Sequence, residues 1–428
     1  MRLFRDKPTR KRCKLYSMLR AQARRPHKSF HTPGHKQKGF DITELSYSDN
    51  LSCPRGCILD AERDVAKILG ANRSFLLTDG STAGVFAILQ TAKAQGVCSI
   101  AVCENSHKSV FNACAVLGIT PLVYEQAYRD KIPFVHTRYA LNEDFGNIFA
   151  KADAVFLTSP DYYGNVADLQ GFSSFCKETG KLLLVDGAHG GHLHFEPSLY
   201  AGAYADLWVD GVHKSLPAYT QGAVVSAKSE NLAESLRQAV DCFRTTSPSY
   251  PIMASVEYAV KYPRNVWLEK AIKTLRDDNE RISIGEDWTK VCVRFGDTAF
   301  QAHAYCEQKG VYPEFCDGNV VMFYLSPATS RKAFRFLRRF LRKLTDLFPF
   351  VQRKEQEREF ALPNNATTEQ VALRDAENRL CATNCGLFPP CTPLLRVGER
   401  ITEEKLRLLE SADNVYGLLD GKISVFKE

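Results

Sequence analysis

Short apolar runs separated by longer segments of mixed polarity recur along the first half of the chain. The pattern opens with two pairs of a short run and a helical segment, at 74–78 with 81–95 and at 99–103 with 110–117. Further runs of strand length follow at 154–158, 182–185, 207–209 and 223–227. Apolar strands that alternate with helices predict an α/β fold with a mainly parallel sheet covered by helices on both faces. Ligands of such sheets bind beyond the carboxyl ends of the strands.

The pattern changes after about residue 260, where charged helical segments replace the regular alternation. Residues 331–348 place apolar side chains on one stripe among arginines, which predicts an amphipathic helix packed on a sheet, with a membrane-surface helix as the alternative. Residues 352–370 are polar and contain a proline, so we expect an exposed loop there. We predict an N-terminal basic arm or helix over 1–35, a large domain over 36–285 and a smaller α+β region over 286–428.

Composition and charge narrow the class of protein. The 428 residues are 44% hydrophobic and 25% charged, as in a folded globular protein. The net charge of +7 is concentrated at the N-terminus, where eleven basic residues precede position 29 against one acid, Asp6. A solvated helix over about 15–23 is one interpretation of this segment, and a transit peptide or a nucleic-acid arm is another. No apolar run has the length of a secretion signal core or a membrane span, so we expect a cytoplasmic protein with no membrane or nucleic-acid partner.

The fourteen cysteines are scattered without a CxxC pair, so we expect reduced thiols. The segment DGAHGGHLH is a better metal candidate, since it groups four potential ligands, Asp186, His189, His192 and His194. We nevertheless expect no metal, because the same residues have a more specific explanation.

Several polar residues with catalytic potential follow predicted strands. Lys214 stands behind the run LWVD, where partial burial beside another cation would lower its proton affinity and favour bonding to an aldehyde such as pyridoxal phosphate (PLP). A surface lysine is the alternative. Asp186 ends the run LLLVD, and a buried carboxylate there needs a cationic partner such as a protonated pyridine nitrogen. His107 follows another strand, where an imidazole could lie against a cofactor ring or serve only the structure.

The segment TDGSTAG over 78–84 connects a strand to a helix through a glycine and two hydroxyl residues. Free backbone N–H groups and the helix dipole would then point at one place together with Ser81 and Thr82, which predicts a phosphate cradle. An ordinary helix cap is the alternative interpretation.

The order of these motifs resembles that of fold type I PLP-dependent enzymes, and within them the bacterial ornithine/lysine/arginine decarboxylase family. The segment FHTPGHKQKGFDITEL resembles the PGHK signature of that family, and LFPPCTPLLRVGE is similar to its segment near the C-terminus. Between them, in the same order as in the family, are LTDGSTAG, ENSHKS, DGAHGGH, DGVHKSLPAYTQGA and TTSPSYPIMAS. The similarity runs from about residue 15 to 410 and implies a PLP-binding large domain with a smaller α+β C-terminal domain.

The resemblance implies a role for each matching residue. Lys214 would be the Schiff-base lysine, Asp186 the partner of the pyridine nitrogen and His107 the residue stacked on the ring. Three further residues, Ser81, Thr82 and His213, would hold the phosphate region. Ala188 would lie against the ring, with His189 near the reacting carbon. Ser247 would complete the phosphate site of a neighbouring subunit, which implies a homodimer or higher homo-oligomer, although a plain turn would explain the same segment.

The implied reaction is decarboxylation of a basic amino acid to an amine of the polyamine pathway, with Lys214 or His189 as the proton donor. Arginine is slightly preferred over lysine and ornithine because the chain resembles the compact biosynthetic type. A carboxylate should meet the substrate side chain, and the candidates are Glu314, Asp317 and Glu399. Another fold type I enzyme, such as an aminotransferase or a carbon–sulfur lyase, and a catalytically silent relative are the alternatives. An aminotransferase would need an arginine for the α-carboxylate, such as Arg396 or Arg379.

Three positions depart from the family pattern. Gly211 stands where the family usually has serine, Gly187 where glutamate is frequent, and Cys391 where glycine is usual. These departures bear on substrate choice and on the silent-relative alternative more than on cofactor binding.

Overall fold

The computed structural model describes residues 3–124, 148–352, 359–361, 367–387, 393–412 and 414–427. The predicted strands and helices of the large domain are present within about two residues of their expected ends. Within these ranges, every helix is too short or too polar to cross a membrane.

The large domain is built on a 7-stranded sheet. Its strands are β1 (Arg73–Leu77), β2 (Ser99–Cys103), β3 (Thr120–Tyr124), β4 (Ala154–Thr158), β5 (Leu182–Gly187), β6 (Leu207–Asp210) and β7 (Ala223–Ala227). Their order across the sheet is β1-β7-β6-β5-β4-β2-β3. Pairing is parallel from β3 through β6, whereas β7 runs antiparallel to both β6 and β1. The expected mainly parallel sheet is therefore confirmed, with one reversed strand that apolar content alone could not indicate.

Helices cover both faces of this sheet, as expected. The helices of the N-terminal and large-domain part are α1 (Lys7–Lys11), α2 (Lys14–Arg24), α3 (Cys57–Leu69), α4 (Gly80–Ala94), α5 (Lys108–Leu117), α6 (Leu169–Thr179), α7 (Ala201–Tyr204), α8 (Val212–Ser215), α9 (Glu230–Phe243) and α10 (Tyr250–Val260). One buried cluster joins α4, α5 and α9 to one face of the strands. The other cluster joins α2, α3, α6 and α10 to the opposite face.

The N-terminal basic segment folds onto the large domain. The predicted helix is present as α2, but its apolar side is buried, since Leu15 and Leu19 are inaccessible to solvent. The carboxylate of Glu257 on α10 accepts the backbone N–H groups of Lys14 and Leu15 at 2.7 and 2.9 Å. This carboxylate caps α2, and Lys261 balances its charge at 2.8 Å. The expected solvated helix is therefore present, but only its polar face is exposed, because the other face packs into the core.

The rest of the chain forms smaller sheets. A 4-stranded antiparallel sheet in the order β10-β11-β9-β8 consists of β8 (Ile282–Ser283), β9 (Lys290–Arg294), β10 (Phe315–Cys316) and β11 (Val320–Tyr324). Its helices are α11 (Val266–Lys273), α12 (Leu275–Asp278), α13 (Ala299–Gln308) and α14 (Arg331–Leu347). The predicted amphipathic helix is α14, which buries Phe334, Leu341 and Leu344 against this sheet.

The C-terminal part has a separate core. Its elements are β12 (Thr368–Ala372), β13 (Gly386–Leu387), α15 (Glu403–Ser411), β14 (Val415–Tyr416), β15 (Leu418–Leu419) and β16 (Lys422–Phe426). Much of the expected loop over 352–370 lies outside the described residues, and so does Cys391.

Candidate active site

The candidate site lies at the carboxyl edge of the parallel strands. Asp186 is the penultimate residue of β5, and Lys214 lies on α8, directly after β6. His107 follows β2 and precedes α5. Because parallel strands end at one edge, residues far apart in sequence converge there.

The side chain of Lys214 contacts His189 and Tyr162. Its Nζ lies 3.1 Å from Nε2 of His189 and 5.7 Å from the ring centroid of Tyr162. Burial, reinforced by the Lys214 charge, holds the pKa of His189 well below its usual range. His189 is therefore neutral at physiological pH, and its ring nitrogen can accept a hydrogen bond from the lysine ammonium.

Two tyrosines fix the ring of His189. The ring centroid of Tyr162 lies 4.4 Å from that of His189, and the Tyr324 ring stacks on it at 5.8 Å with an interplanar angle of 21°. The Tyr324 hydroxyl also donates to the backbone carbonyl of His189 at 3.3 Å. Neither tyrosine was predicted from the sequence. Tyr162 follows the end of β4, so the strand-end criterion that selected the other residues would have found it.

Asp186 presents a buried carboxyl beside this cluster. Its Oδ1 accepts the backbone N–H of Ala188 at 3.0 Å. Burial raises the pKa of Asp186, while the charge of Lys214 and the hydrogen bond from Ala188 oppose that rise. Across the described residues no ion pair is formed with this carboxyl. Such an environment suits a cationic ring nitrogen of a bound ligand, whose charge would keep the carboxyl ionised.

His107 forms the N-terminal cap of α5. Its Nδ1 lies 2.8 Å from the Ser109 hydroxyl and accepts the Ser109 backbone N–H at 3.2 Å. Burial, together with the nearby charge of Lys214, lowers the pKa of His107 to about 4. The imidazole is therefore neutral at physiological pH and presents a flat, uncharged ring.

The predicted phosphate cradle is the N-terminus of α4. Gly80 begins the helix with φ of +77°, a conformation that favours glycine, and Ser81 and Thr82 follow in the first turn. Backbone N–H groups of a first turn have no acceptor within the helix, so they can bind an anion. The N–H of Gly80 donates to the Gln221 carbonyl at 2.9 Å.

His213 connects the loop at 221–222 to the Lys214 turn. Its Nδ1 lies 3.0 Å from the Gly222 carbonyl, to which its backbone N–H also donates at 3.0 Å. The lysine turn, the loop at 221–222 and the start of α4 are therefore held together. This arrangement fits a ligand with a ring over Asp186 and a phosphate at α4.

Among the three candidate substrate carboxylates, Glu314 lies within electrostatic reach of Lys214. Burial raises the pKa of Glu314, and the charges of Lys214 and Lys290 oppose that rise. Asp317 instead accepts the Tyr163 hydroxyl at 2.7 Å and two backbone N–H groups of its own turn. Glu399 is buried and forms an ion pair with Lys405. The electrostatic interaction with Lys214 favours Glu314, and the roles of all three carboxylates remain predictions.

Ser247 lies on the surface of the single chain, with its N–H donating to the Thr245 hydroxyl at 3.1 Å. Its predicted contribution to a neighbouring subunit remains a prediction.

The four metal candidates of DGAHGGHLH point to different partners. Asp186 and His189 belong to the Lys214 site, whereas Nδ1 of His194 lies 2.7 Å from the Gly191 carbonyl. His192 is fully buried, with Nε2 lying 2.9 Å from Oδ1 of Asp287.

Asp287 also forms an ion pair with Lys290, which is likewise fully buried. Burial raises the pKa of Asp287, but Lys290 and His192 outweigh this effect and hold it far below its usual range. This network joins the large domain to the 4-stranded sheet behind the site, and sequence patterns gave no signal for it.

Sterics explain two of the departures from the family pattern. A Cβ atom at Gly211 would lie 2.4 Å from the Ala188 carbonyl oxygen. A Cβ at Gly187 would lie 3.0 Å from the Val209 carbonyl and 3.3 Å from Oδ1 of Asp210. The close approach of the Lys214 turn to the segment after Asp186 therefore leaves no room for a Cβ atom at 211, which favours glycine there.

The two arginines that an aminotransferase would need have other partners. Arg396 lies 2.7 Å from the buried Glu104, and Arg379 lies 2.6 Å from Glu369. The Glu104 pair brings the C-terminal part against the loop before His107. This arrangement favours a decarboxylase over an aminotransferase.

Comparison with solved structures defines the fold class. The constitutive lysine decarboxylase of Escherichia coli aligns over 97% of this chain and 82% of its own, with a TM-score of 0.70 and 18% identity. A structure of SPT with a PLP internal aldimine aligns over 72% of this chain and 82% of its own, with a TM-score of 0.53 and 12% identity. The predicted fold type I architecture is confirmed.

Sequence comparison narrows that class to a family. Residues 13–284 match the family model for the Orn/Lys/Arg decarboxylase major domain. The chain therefore belongs to the Orn/Lys/Arg decarboxylase family, as its motifs predicted. The Bacillus subtilis protein YaaO, which is uncharacterized, is 28% identical over 96% of both chains. An arginine decarboxylase of Bacillus subtilis is 23% identical over 92% of both, and the constitutive lysine decarboxylase of Escherichia coli is 25% identical over 51% of this chain and 32% of its own.

Proposed function

We propose that this protein is a PLP-dependent decarboxylase of basic amino acids, with arginine as the preferred substrate. The contact that carries the proposal is the one between Lys214 Nζ and His189 Nε2 at 3.1 Å, next to the buried carboxyl of Asp186. A lysine, a neutral histidine and an acid at the end of parallel strands are the groups that PLP chemistry needs.

The residues around this contact fit PLP. Lys214 would bind the aldehyde carbon, and Asp186 would hold the proton of the ring nitrogen. His107 and Ala188 would lie on the two faces of the ring, with the phosphate received by the first turn of α4. When bound, PLP supplies a ring that accepts the electron pair of the bond between the α-carbon and the carboxylate.

The protein's own residues then handle protons and orientation. His189 can share a proton with Lys214 across their 3.1 Å contact, so either group can protonate the α-carbon after carbon dioxide leaves. Tyr162 and Tyr324 hold the His189 ring in place for this transfer.

Glu314 supports a cationic substrate side chain. Glu314 is partly buried, and the charge of Lys214 lowers the pKa of its carboxyl against the effect of burial. A substrate ammonium or guanidinium near the lysine would therefore form an ion pair with this carboxylate. The preference for arginine draws on relatives. Those named arginine decarboxylase match 92–94% of this chain, whereas those named lysine decarboxylase match 51–54% of it.

Product analysis tests the proposal. The purified chain with PLP would be incubated with arginine, lysine and ornithine together, and mass spectrometry would identify the amines formed. We expect agmatine as the main product, with Lys214→Ala inactive. Glu314→Gln, which keeps the shape of the side chain, should raise KM for arginine at least tenfold with a smaller change in kcat. Asp317→Asn is the matched control and should leave KM within twofold of the wild type.

The outcomes separate the alternatives. A keto acid in place of an amine would refute decarboxylation and favour an aminotransferase. No product, together with no change in cofactor absorbance when PLP is added, would favour a silent relative. Cadaverine or putrescine as the main product would keep the reaction but overturn arginine as the substrate.

We further propose that the active unit is a homodimer or larger homo-oligomer in the cytoplasm, serving polyamine synthesis. The support is the surface position of Ser247, which would complete a neighbouring site. Analytical ultracentrifugation measures the oligomeric state, and the PLP affinity of Ser247→Ala tests whether this residue contributes to a neighbouring site. A monomer with full activity would refute the shared site.

A further inference from the structure

Asp210 is a buried carboxyl beside the Lys214 turn that the proposed reaction does not use. It ends β6, and 1% of its surface is exposed. The strand register pairs it with Gly187, while Asp186 is paired with Val209. Since successive strand residues point to opposite faces of the sheet, Asp210 lies on the Trp208 face and Asp186 on the other. Asp210 is not among the residues predicted from the sequence.

The two oxygens of Asp210 have unequal surroundings. Oδ2 accepts the Tyr200 hydroxyl at 2.7 Å and the indole N–H of Trp208 at 3.2 Å. Oδ1 is buried and has no hydrogen-bond partner in the described part of the chain. Oδ1 lies beside Gly187, and a Cβ atom added to Gly187 would be 3.3 Å from it. An ionised carboxylate would leave a charged oxygen buried without a donor, which is costlier than a neutral carboxyl at the same place.

The surrounding groups favour the neutral form. Burial raises the pKa of Asp210 to about 7, with a further rise from the Asp186 charge, while the hydrogen bonds from Tyr200 and Trp208 oppose it. On the other neighbouring strand, β7, Asp210 is paired with the apolar Val224.

Among the residues that the structure describes, the titratable groups packed around Tyr200 supply no compensating charge. The ring centroid of His194 lies 6.4 Å from that of Tyr200, and burial lowers the pKa of His194 to about 4, so this imidazole is neutral. Burial, with Asp210 beside it, raises the pKa of Tyr200 well above its usual range, so the hydroxyl remains a donor. Lys214 follows on α8, and its Nζ is directed to His189.

We propose that Asp210 is a positioning residue that holds the Lys214 turn in place while its carboxyl is protonated and releases the turn when it ionises. The effect on catalysis rests on the proposed decarboxylase function. The effect on the stability of the folded chain does not. The backbone N–H of Lys214 donates to the Gly211 carbonyl at 2.9 Å, so the lysine turn begins at the residue after Asp210. A carboxylate that draws water to Oδ1 would displace this turn and weaken the contact between Lys214 and His189.

The direction of the pH effect follows from linkage. The folded pKa of Asp210 lies above that of an unfolded aspartate, about 3.9. Its protonated form therefore gives full stability below about pH 4, and this contribution declines as the pH rises towards 7. Ordering of the lysine turn, a property of the folded state, should decline as the pH passes through about 7.

Three variants of the full chain test the proposal. Asp210→Asn keeps an acceptor for Tyr200 and Trp208 and cannot ionise. Asp210→Ala removes that acceptor. Tyr200→Phe removes a hydrogen bond that stabilises the anion, so it should shift the pH response of Asp210 upwards. The readouts are thermal unfolding without added cofactor from pH 4.5 to 9 and PLP affinity from cofactor absorbance.

We expect wild-type PLP affinity to fall at least fivefold between pH 6 and 8.5, beyond any change in Asp210→Asn. The PLP affinity of Asp210→Asn should match that of the wild type at pH 6 and surpass it at pH 8.5, and its advantage over the wild type in thermal unfolding should grow from pH 4.5 to about pH 7. The midpoint for Tyr200→Phe should move to higher pH, and Asp210→Ala should be weaker than the wild type at pH 6. If Asp210→Asn follows the wild-type pH course, or is as weak as Asp210→Ala at pH 6, the proposal is wrong. Thermal unfolding needs neither cofactor nor substrate, so failure of the decarboxylase assay would leave this test intact.

Discussion

Replacing Gly211 by alanine tests how closely the Lys214 turn approaches the segment after Asp186. The backbone of Gly211 has φ of −79° and ψ of 74°, so any L-residue can adopt it. The added methyl group would, however, lie 2.4 Å from the Ala188 carbonyl oxygen and 3.1 Å from the carbonyl carbon. Alanine at 211 therefore introduces a steric clash without backbone strain.

The loss of stability can be estimated from the overlap between the new Cβ atom and the Ala188 carbonyl oxygen. Real Cβ contacts under 3.0 Å are essentially not found, so the two atoms must separate by about 0.6 Å. Both groups are backbone or directly attached to it, and no flexible side chain can absorb the shift. Overpacking of this kind costs about 1–3 kcal/mol. Ala188 also donates to Asp186, so the displaced segment should weaken PLP binding as well.

Urea unfolding of Gly211→Ala and wild-type protein, followed by fluorescence and circular dichroism, measures the cost. Absorbance titration with PLP measures affinity. Strain that the cofactor-free protein retains should appear in the unfolding free energy, and strain that it relieves by moving this segment should appear as weaker PLP binding, by roughly 5- to 150-fold for about 1–3 kcal/mol. Gly39→Ala is the matched control, because a Cβ there would meet nothing within 4 Å. A Gly211→Ala protein as stable as the control, with unchanged PLP affinity, would refute the close packing of the two segments.

Three further predictions concern buried charges and His107. Asp287→Ala should destabilise the protein by about 3–5 kcal/mol in urea unfolding, because Lys290 would remain buried without its counter-charge; a loss under 1 kcal/mol would contradict this. Since the folded pKa of Asp287 is depressed, its contribution should be present above about pH 4 and lost on further acidification, a loss absent from Asp287→Ala in acid unfolding curves. His107→Phe should keep PLP affinity within about threefold of the wild type, while His107→Ala should lose more than tenfold in absorbance titrations, because a neutral ring supplies stacking in the first and not in the second. Equal losses in the two variants would rule out stacking as its role.

Strand ends could be predicted because their signal is local. An apolar run followed by a polar residue marks the end of β5 at Asp186 and of β6 before Lys214, and chain order then places both at one edge. The motif resemblance supplied their roles. The antiparallel direction of β7 could not be predicted in the same way, because a strand buried on both faces has the same apolar pattern in either direction.

Residues that act through packing across long sequence distances were missed. Tyr324 reaches His189 from the 4-stranded sheet, and Asp287 reaches His192 from the same part of the chain. Each is one polar residue in an ordinary segment, and only the folded chain shows its partner. Asp210 was missed for another reason: it ends the run LWVD, so the strand-end criterion would have found it, but the motif resemblance directed attention to Lys214 instead.

The ion pair of Arg396 with Glu104 makes the large domain dependent on the C-terminal part. Glu104 is buried three residues before His107, and its counter-charge comes from almost three hundred residues further along the chain. The ring of Tyr416 lies 5.3 Å from Nζ of Lys108 at the same place. A fragment that ends at residue 284, where the family match ends, would expose Glu104 and lose both contacts. The segment matched by the family model is therefore not a cofactor-binding unit that can be excised intact.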